Sequence, residues 1–251
     1  MAERDAVPRS LGAGLLLYGI GDTSSAWPSD ERGVQGGGLR RIAHGGLTAL
    51  VSPLVERARV ATPVRVDLLD YERVIRAWHA VADVLPMRFG SVLSDEAEVR
   101  AHLDEQRAPY LRVLTRISGC VEMGVRALVS APPPAPEPEE AVKPEVRSGA
   151  DYLRARRHRH AVENRLRDRC TVLEQTLLSK VGPLCREHQV EFSPSRSGGP
   201  ALYSLYFLVP RGQVSAFRAA LSPMPVTGLA ELTLSGPWPP FNFVAPGHTT
   251  C

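Results

Sequence analysis

The sequence predicts a two-domain α+β protein, and three observations lead to that class. Segments with strand patterns and segments with helical period alternate irregularly along the chain. A Pro/Glu-rich stretch, APPPAPEPEEAVKPEVRSG at 131–149, separates two such groups. The length of 251 residues is sufficient for two small domains, each with its own core. We therefore expect an N-terminal α+β domain over 1–130, a linker over 131–148 and a C-terminal domain over 149–251.

Strand patterns dominate the first part of the N-terminal domain. LLLYGIG at 15–21 is a continuous apolar run closed by glycine, which is typical of a buried strand. LRRIAHGGLTALVSPL at 39–54 predicts two strands around a tight turn at 44–46. CVEMGVRALV at 120–129 alternates in polarity and predicts a half-buried strand. With the intervening helices, the expected order is β-β-β-α-(β)-α-α-β.

Three helices are expected between these strands. Residues 67–85 have helical period and place Asp67 as the cap. Ser94 is placed to cap a helix with an acidic first turn, and a further helix starts near Pro109. The predicted inner face of the first helix comprises Leu68, Tyr71, Val74, Ile75, Trp78, Val81 and Leu85.

The C-terminal domain opens with a long predicted helix from 149 to about 181. Its order continues as strand, strand, helix and strand, which suggests a ferredoxin-like half-sandwich with helices on one face of an antiparallel sheet. The helix has an apolar stripe at steps of three and four: Val162, Leu166, Cys170, Leu173, Leu177 and Val181.

Composition indicates an ordinary globular protein. The formal net charge is +3 and the pI about 8.8, far from the charge density of a dedicated nucleic-acid binder. The first apolar run is too short to span a bilayer. Four cysteines without CxxC or metal-ligand spacing are expected to be free thiols, as in a reducing cytoplasm. These features predict a soluble cytoplasmic protein.

Motifs for catalysis or cofactor binding are weak. YGIGDTS has Ser24 where a dinucleotide fingerprint needs its third glycine. His158 and His160 are two residues apart, so a helix places them on different faces and they do not form a metal pair. There is no G-x-S-x-G sequence. We expect no enzymatic activity, cofactor or metal.

An arginine-rich segment, RARRHRHAVENRLRDR at 154–169, permits three interpretations. It could bind nucleic-acid phosphates, bind an acidic protein partner, or form the solvated side of an amphipathic helix. Opposite charges three or four residues apart, such as Arg159 with Glu163 and Arg165 with Asp168, favour the third.

PMRFG at 86–90 places an arginine between two apolar residues of an expected extended segment, 87–92. If Met87 and Phe89 point inward, Arg88 points outward. It would then meet a carboxylate of a partner, or form a salt bridge at the strand edge.

The tail GPWPPFNFV at 236–244 combines three prolines with three aromatic residues. The prolines predict neither a helix nor a strand interior. Such a segment is either a polyproline ligand or a stiff plug that packs Trp238, Phe241 and Phe243 onto the core.

Five stretches, in this order, resemble the gas vesicle protein family GvpL/GvpF. L-P-x-R-F-G and G-P-W-P-P-aromatic are the most specific motifs, and the resemblance spans nearly the whole chain. The stretches are LLLYGIG near the start, LTALVSP at 47–53, VLPMRFGSVLSDEAEVRAHL at 84–103, SGADYLRARR at 148–157 and GPWPPFNFV at 236–244. The family usually has Tyr and Ser where this chain has Phe241 and Asn242.

The resemblance implies a non-enzymatic cytoplasmic protein of gas vesicle formation, with a C-terminal domain of modified ferredoxin-like fold. It implies an assembly factor or minor vesicle component that engages the hydrophobic shell protein GvpA and other accessory proteins. The alternative is a basic nucleic-acid-binding module acting through 154–169. Candidate partner-binding residues are Arg88, Phe89, Arg156, Arg157, Trp238 and Phe241.

Overall fold

A computed structural model describes residues 14–24, 26–56, 58–130, 149–194, 200–222, 229–244 and 249–250. These residues form ten strands and six α-helices. The strands are β1 Leu15–Asp22, β2 Arg40–His44, β3 Leu47–Pro53, β4 Leu85–Pro86, β5 Val92–Leu93, β6 Cys120–Val129, β7 Glu187–Ser193, β8 Ala201–Pro210, β9 Leu229–Trp238 and β10 Thr249–Thr250. The helices are α1 Ala58–Ala61, α2 Arg65–Val81, α3 Glu96–Glu105, α4 Arg107–Ile117, α5 Gly149–Val181 and α6 Val214–Leu221.

The predicted α+β class is confirmed, with two antiparallel sheets. The first sheet has the order β2-β3-β1-β4, and β5 also pairs with β1. The second has the order β10-β7-β8-β6-β9.

The first sheet has its core on both faces. β3 is buried at every position from Leu47 to Ser52, which requires cover on each side of the sheet. One side packs on α2, whose Tyr71 and Trp78 join Tyr18 in a single apolar cluster. The predicted hairpin turn is present: β2 and β3 are joined by two glycines at positive φ, Gly45 at 60° and Gly46 at 86°.

Helix α2 differs from its predicted inner face at three positions. It ends at Val81, so Leu85 lies in β4 and not on the helix. Leu68 is 43% exposed and Val81 is 57% exposed, because both lie on the margins of the apolar stripe near the helix ends. Asp67 is not the cap residue itself. It lies in the first turn, and its carboxylate accepts the backbone N–H of Val64 at 3.4 Å. This hydrogen bond satisfies a backbone N–H at the start of the helix, as a cap residue would.

The second sheet takes its first strand from a segment that the sequence assigned to the first domain. The succession β6-α5-β7-β8-α6-β9, with sheet order β7-β8-β6-β9, is a ferredoxin-like βαββαβ arrangement. The backbone contacts of the chain accordingly divide it near Val121. Residues 122–237 belong to a second compact unit, whereas 238–244 belong with the first. This division differs from the expected boundary at 131–148, which lies outside the described residues.

Helix α5 has two unlike halves. The predicted stripe is buried at Leu166, Cys170, Leu173, Leu177 and Val181. At 1.5 Å per residue the 33-residue helix is about 50 Å long, so these residues occupy only its second half.

The cysteines are not all free thiols. Cys120 and Cys170 are buried and free, but Cys185 is disulfide-bonded. The expectation of four free thiols is therefore wrong at Cys185. Spacing along the chain does not report which sulfur atoms the fold brings together.

Candidate partner-binding surface

The PMRFG segment forms a bulge in the outermost strand of the first sheet. β4 and β5 both pair with β1, and the residues between them leave the strand line. A turn closes there, with the N–H of Ser91 donating to the carbonyl of Arg88 at 3.2 Å. Gly90 has a φ of +96°, a conformation that favours glycine. The expected extended segment 87–92 is thus interrupted.

The bulge separates Phe89 from Arg88. Phe89 packs edge-on against Tyr71, with ring centroids 5.2 Å apart. The Tyr71 hydroxyl donates to the carbonyls of Leu17 and Met87, each at 2.9 Å. Burial raises the pKa of Tyr71 well above its usual range, so this phenol stays a neutral donor. The predicted inward Phe89 is confirmed.

The side chain of Arg88 points to solvent. Its guanidinium makes no hydrogen bond or ion pair with any residue that the structure describes, so the strand-edge salt bridge is not formed within this part of the chain. The backbone hydrogen bond of the turn fixes the position of Arg88, and its guanidinium extends from there into solvent.

The start of the proline-rich tail belongs to a strand. β9 continues through Pro237 to Trp238, so the expectation that the prolines exclude a strand is wrong for Pro237. The reason is position: β9 is the outermost strand of its sheet, where a missing N–H is tolerated. Gly236 has a φ of +104°, and a Cβ there would lie 2.7 Å from the carbonyl oxygen of Glu122. This position requires glycine.

The rest of the tail is mostly buried. Pro239, Pro240 and Phe243 are buried, and Phe243 is inaccessible to solvent. The guanidinium of Arg116 donates to the carbonyl of Phe243. Phe241 is 37% exposed. The tail is therefore a plug at Phe243 and a surface feature at Phe241.

Trp238 is tied to the outer side of α2. The guanidinium carbon of Arg76 lies 4.8 Å from the centre of the indole ring, a cation–π contact. Arg76 also lies 3.5 Å from the carboxylate of Glu72. The exposed end of β9 and the outer face of α2 thus form one surface within the first unit.

That outer face contains an open groove of about 460 Å³ lined by Leu69, Glu72, Arg73, Arg76 and Ala77. Its arginines are already engaged. Arg73 pairs with Glu31 and Asp70 and donates to the carbonyl of Arg32 at 2.9 Å. The groove is therefore electrostatically balanced despite its charged rim.

An apolar patch adjoins the groove at the start of α2. It consists of four residues exposed by 43% to 54%: Val64, Val66, Leu68 and Leu69. Four large apolar side chains within six positions are an unusual exposure for an isolated surface. Sequence reasoning missed this patch, although Val66 and Leu69 lie off the predicted inner stripe and were visible in the pattern.

The six candidate residues are not gathered into one site. Arg88, Phe89, Trp238 and Phe241 lie in the first unit, where Phe89 and Trp238 both contact α2. Arg156 and Arg157 lie on α5 in the second unit, and both are exposed. The two arginines therefore need a separate account.

A polar cluster lies between α5 and the second sheet. Tyr203 donates to one carboxylate oxygen of Glu174 at 2.7 Å, and His188 Nε2 lies 3.2 Å from the other. Burial, followed by the contact with Glu174, raises the pKa of Tyr203. These contacts fix α5 on its sheet, which is a structural role.

The described residues offer neither a metal-binding cluster nor a membrane-spanning helix. They contain no group of three or more His, Cys, Asp or Glu side chains placed to hold a metal ion. None of their helices has the length and apolar character needed to cross a membrane.

The fold and these surfaces define a two-unit α+β protein whose distinctive features are an open groove beside an exposed apolar patch and a basic helix. Over residues 14–245 the chain matches the family described as "Gas vesicle synthesis protein GvpL/GvpF". The chain belongs to this family, as the resemblance implied.

Two relatives from Streptomyces sp. (strain CB03234) support the assignment. Gas vesicle protein F is 29% identical, covering 92% of this chain and all of that protein. Gas vesicle protein L is 28% identical, covering 86% of each.

Two crystal structures share the fold. Gas vesicle protein GvpF from Anabaena sp. PCC7120 superposes with a TM-score of 0.72 at 19% identity, over 95% of this chain and 98% of that one. GvpF from Microcystis aeruginosa also gives 0.72, at 16% identity, over 93% and 99%.

Proposed function

We propose that this protein is a gas vesicle assembly factor that binds the hydrophobic shell protein GvpA and accessory proteins while vesicles nucleate. Membership of a gas vesicle synthesis family supports a role in gas vesicle formation. The observation that carries the binding role is the outer face of α2, where an apolar patch continues into an open groove.

Before a vesicle wall forms, the subunits of the shell protein are surrounded by water. A wall that excludes water needs subunits with large apolar faces, and such faces aggregate when left in water. A soluble protein that covers one apolar face and later releases it keeps the subunit available for assembly into the wall. An exposed apolar surface fits that task, and the two arginines that line its groove, Arg73 and Arg76, are already paired within the chain.

Two modes of binding are open to such a protein, and the geometry favours one. Strand addition needs a regular sheet edge, but the outer strand of the first sheet is broken by the bulge at Arg88. At the opposite edge, Arg100 donates to the carbonyl of Ala43 and Arg107 to that of Gly45. A helix laid into the α2 groove meets no such obstruction.

Within this proposal Trp238 and Phe241 flank the binding surface. Trp238 is held against α2 by Arg76, and Phe241 offers a partly exposed ring in the same unit. Aromatic residues with one face exposed are frequent anchors of protein interfaces. Arg88 is a further contact point, since its guanidinium has no partner among the described residues.

Co-expression with GvpA tests the proposal. GvpA should co-elute in soluble form with this chain, and Val66→Ser with Leu69→Ser should reduce the co-eluted amount several-fold. The matched control is Val172→Ser with Val190→Ser, which removes two equally exposed valines from the second unit. Circular dichroism should show that both variants remain folded.

Two outcomes count against the proposal. Soluble GvpA that co-elutes equally with both variants means that the α2 patch is not the binding surface. No soluble complex with the unmodified chain removes GvpA as its direct partner and leaves the other accessory proteins to be tested.

A further inference from the structure

The first half of α5 carries a feature that the proposed function does not use. From Gly149 to about Ala161 the helix buries none of its described side chains, and Leu153, Arg156, Arg157, His160 and Ala161 are all exposed. Leu153 is 51% exposed. We call residues 149–161 the basic arm.

The basic arm holds much of the charge of the protein. It contains four arginines, Arg154, Arg156, Arg157 and Arg159, against the single acid Asp151. Its formal charge of +3 equals that of the whole 251-residue chain. The formal charges of the rest of the sequence therefore sum to zero, so the arm is a local concentration of positive charge.

Arginines on the two halves of α5 are used differently. On the packed half, Arg167 pairs with Glu163 at 2.9 Å and stacks over Phe192, and Arg169 donates to the carbonyl of Ser130 at 2.6 Å. On the basic arm, Arg156 and Arg157 have neither a hydrogen bond nor an ion pair within the described chain.

This corrects part of the solvated-face interpretation. The expected pair Arg165–Asp168 is not formed, and Glu163 pairs with Arg167. The other expected pair, Arg159 with Glu163, involves a side chain outside the described residues. A glutamate four residues before its cation has the better orientation on a helix. Among the described side chains of α5, ion pairing within the helix is found on the packed half alone.

The arm continues the packed half of α5 as one helix and receives its helical support from that half. An isolated helix of this length is marginal in water, and most helical stability in proteins comes from packing of one face. The arm has no such packing among the described residues, so a partner that covers it would stabilise it.

We propose that the basic arm is a docking site for an acidic helical segment of a partner protein. Guanidinium groups bind carboxylates through paired hydrogen bonds, and helical spacing of the arginines matches carboxylates at steps of three or four. Leu153 supplies an apolar contact at one end. Acids on the same helix, Asp151 and Glu163, disfavour a continuous phosphate backbone, which makes a protein partner the better fit than a nucleic acid.

Binding of defined probes to the full chain tests this proposal. The first probe is a synthetic amphipathic helix of about 20 residues with glutamates at steps of three and four. The second is the same peptide with lysines in place of glutamates, and the third is a single-stranded RNA of equal charge. The variant Arg156→Glu with Arg157→Glu is compared with Arg112→Glu and Arg126→Glu, two exposed arginines elsewhere.

The acidic peptide should bind the unmodified chain and the control variant alike. The arm variant should lose at least about tenfold in affinity, since two attractions become repulsions. It should instead gain affinity for the lysine peptide. Hydrogen exchange across 150–161 should slow when the acidic peptide is bound.

Three results would overturn the proposal. In the first, the acidic peptide does not bind. In the second, it binds the arm variant and the control variant with equal affinity. In the third, RNA binds more tightly than the acidic peptide through the same arginines. The last result would assign the arm to nucleic acid.

Discussion

Helices α2 and α5 both present arginines to solvent, but they use them in opposite ways. On α2, Arg73 bonds to Glu31 and Asp70, and Arg76 lies over Trp238. On the first half of α5, Arg156 and Arg157 make no such contact with described residues. The comparison shows that a basic pattern in a sequence does not by itself mark a binding surface.

This difference between paired and unpaired arginines is the basis for proposing different partners for the two surfaces. Two arginines of α2, Arg73 and Arg76, are paired within the chain, and exposed apolar residues such as Val66 and Leu69 lie on the same helix. The arginines of the basic arm keep their charge available. This contrast supports the two proposals made above, an apolar partner for α2 and an acidic one for α5.

The largest loss of stability is expected from a substitution on the inner face of α2. Trp78 is 1% exposed, and its indole N–H donates to the carbonyl of Ala26 at 3.0 Å. Trp78→Ala should lower the free energy of unfolding of the first unit by about 3–5 kcal/mol, because it leaves a cavity and an unpaired carbonyl. Urea denaturation measures this loss. Leu69→Ala on the outer face is the control, and an equal loss there would contradict the division into inner and outer faces.

The packed half of α5 should respond nearly as strongly. Leu177 is fully buried, and Leu177→Ala should cost about 2–5 kcal/mol of stability. Leu153→Ala on the basic arm should change the unfolding midpoint very little. Thermal unfolding of both variants checks the contrast, and a large loss at Leu153 would mean that the arm is packed.

A smaller effect is expected at the paired arginine of α2. Arg73 is 43% exposed and has two carboxylate partners. Arg73→Ala should cost about 1 kcal/mol or less, since exposed ion pairs are screened by water and salt. The loss should shrink in 0.5 M salt, measured by denaturation at the two salt concentrations. A loss that is independent of salt would assign the effect to packing.

The smallest effect is expected on the basic arm. Arg156→Ala should change the free energy of unfolding by no more than about 0.5 kcal/mol, because no described residue depends on it. A clear loss of stability would show that Arg156 already has a structural partner, and would remove it as a free docking residue.

Local patterns predicted much of this fold. The hairpin at Gly45 and Gly46 and the stripe from Leu166 to Val181 depend on residues close in sequence, and both are present. The bulge at Gly90 and the placing of β6 in the second sheet were missed, because strand pairing over long separations leaves no local signal. Cys185 was missed for the same reason.

The candidate surfaces were predicted only in part. Arg88, Arg156 and Arg157 are exposed, as a binding role requires, while Phe89 serves the core. The α2 groove was missed because the prediction considered only the apolar residues of the inner stripe of that helix. A count of apolar residues left off the stripe would have found Val66 and Leu69.

The most direct test of the account is site-specific photo-crosslinking to GvpA in cells that assemble vesicles. A photoreactive amino acid at Leu69 should crosslink to GvpA, and the same group at Val172, which is 63% exposed in the second unit, should not. Crosslinks from position 172 without any from position 69 would contradict the assignment of the α2 groove. An absence of GvpA crosslinks from both positions would contradict shell-protein binding by this surface.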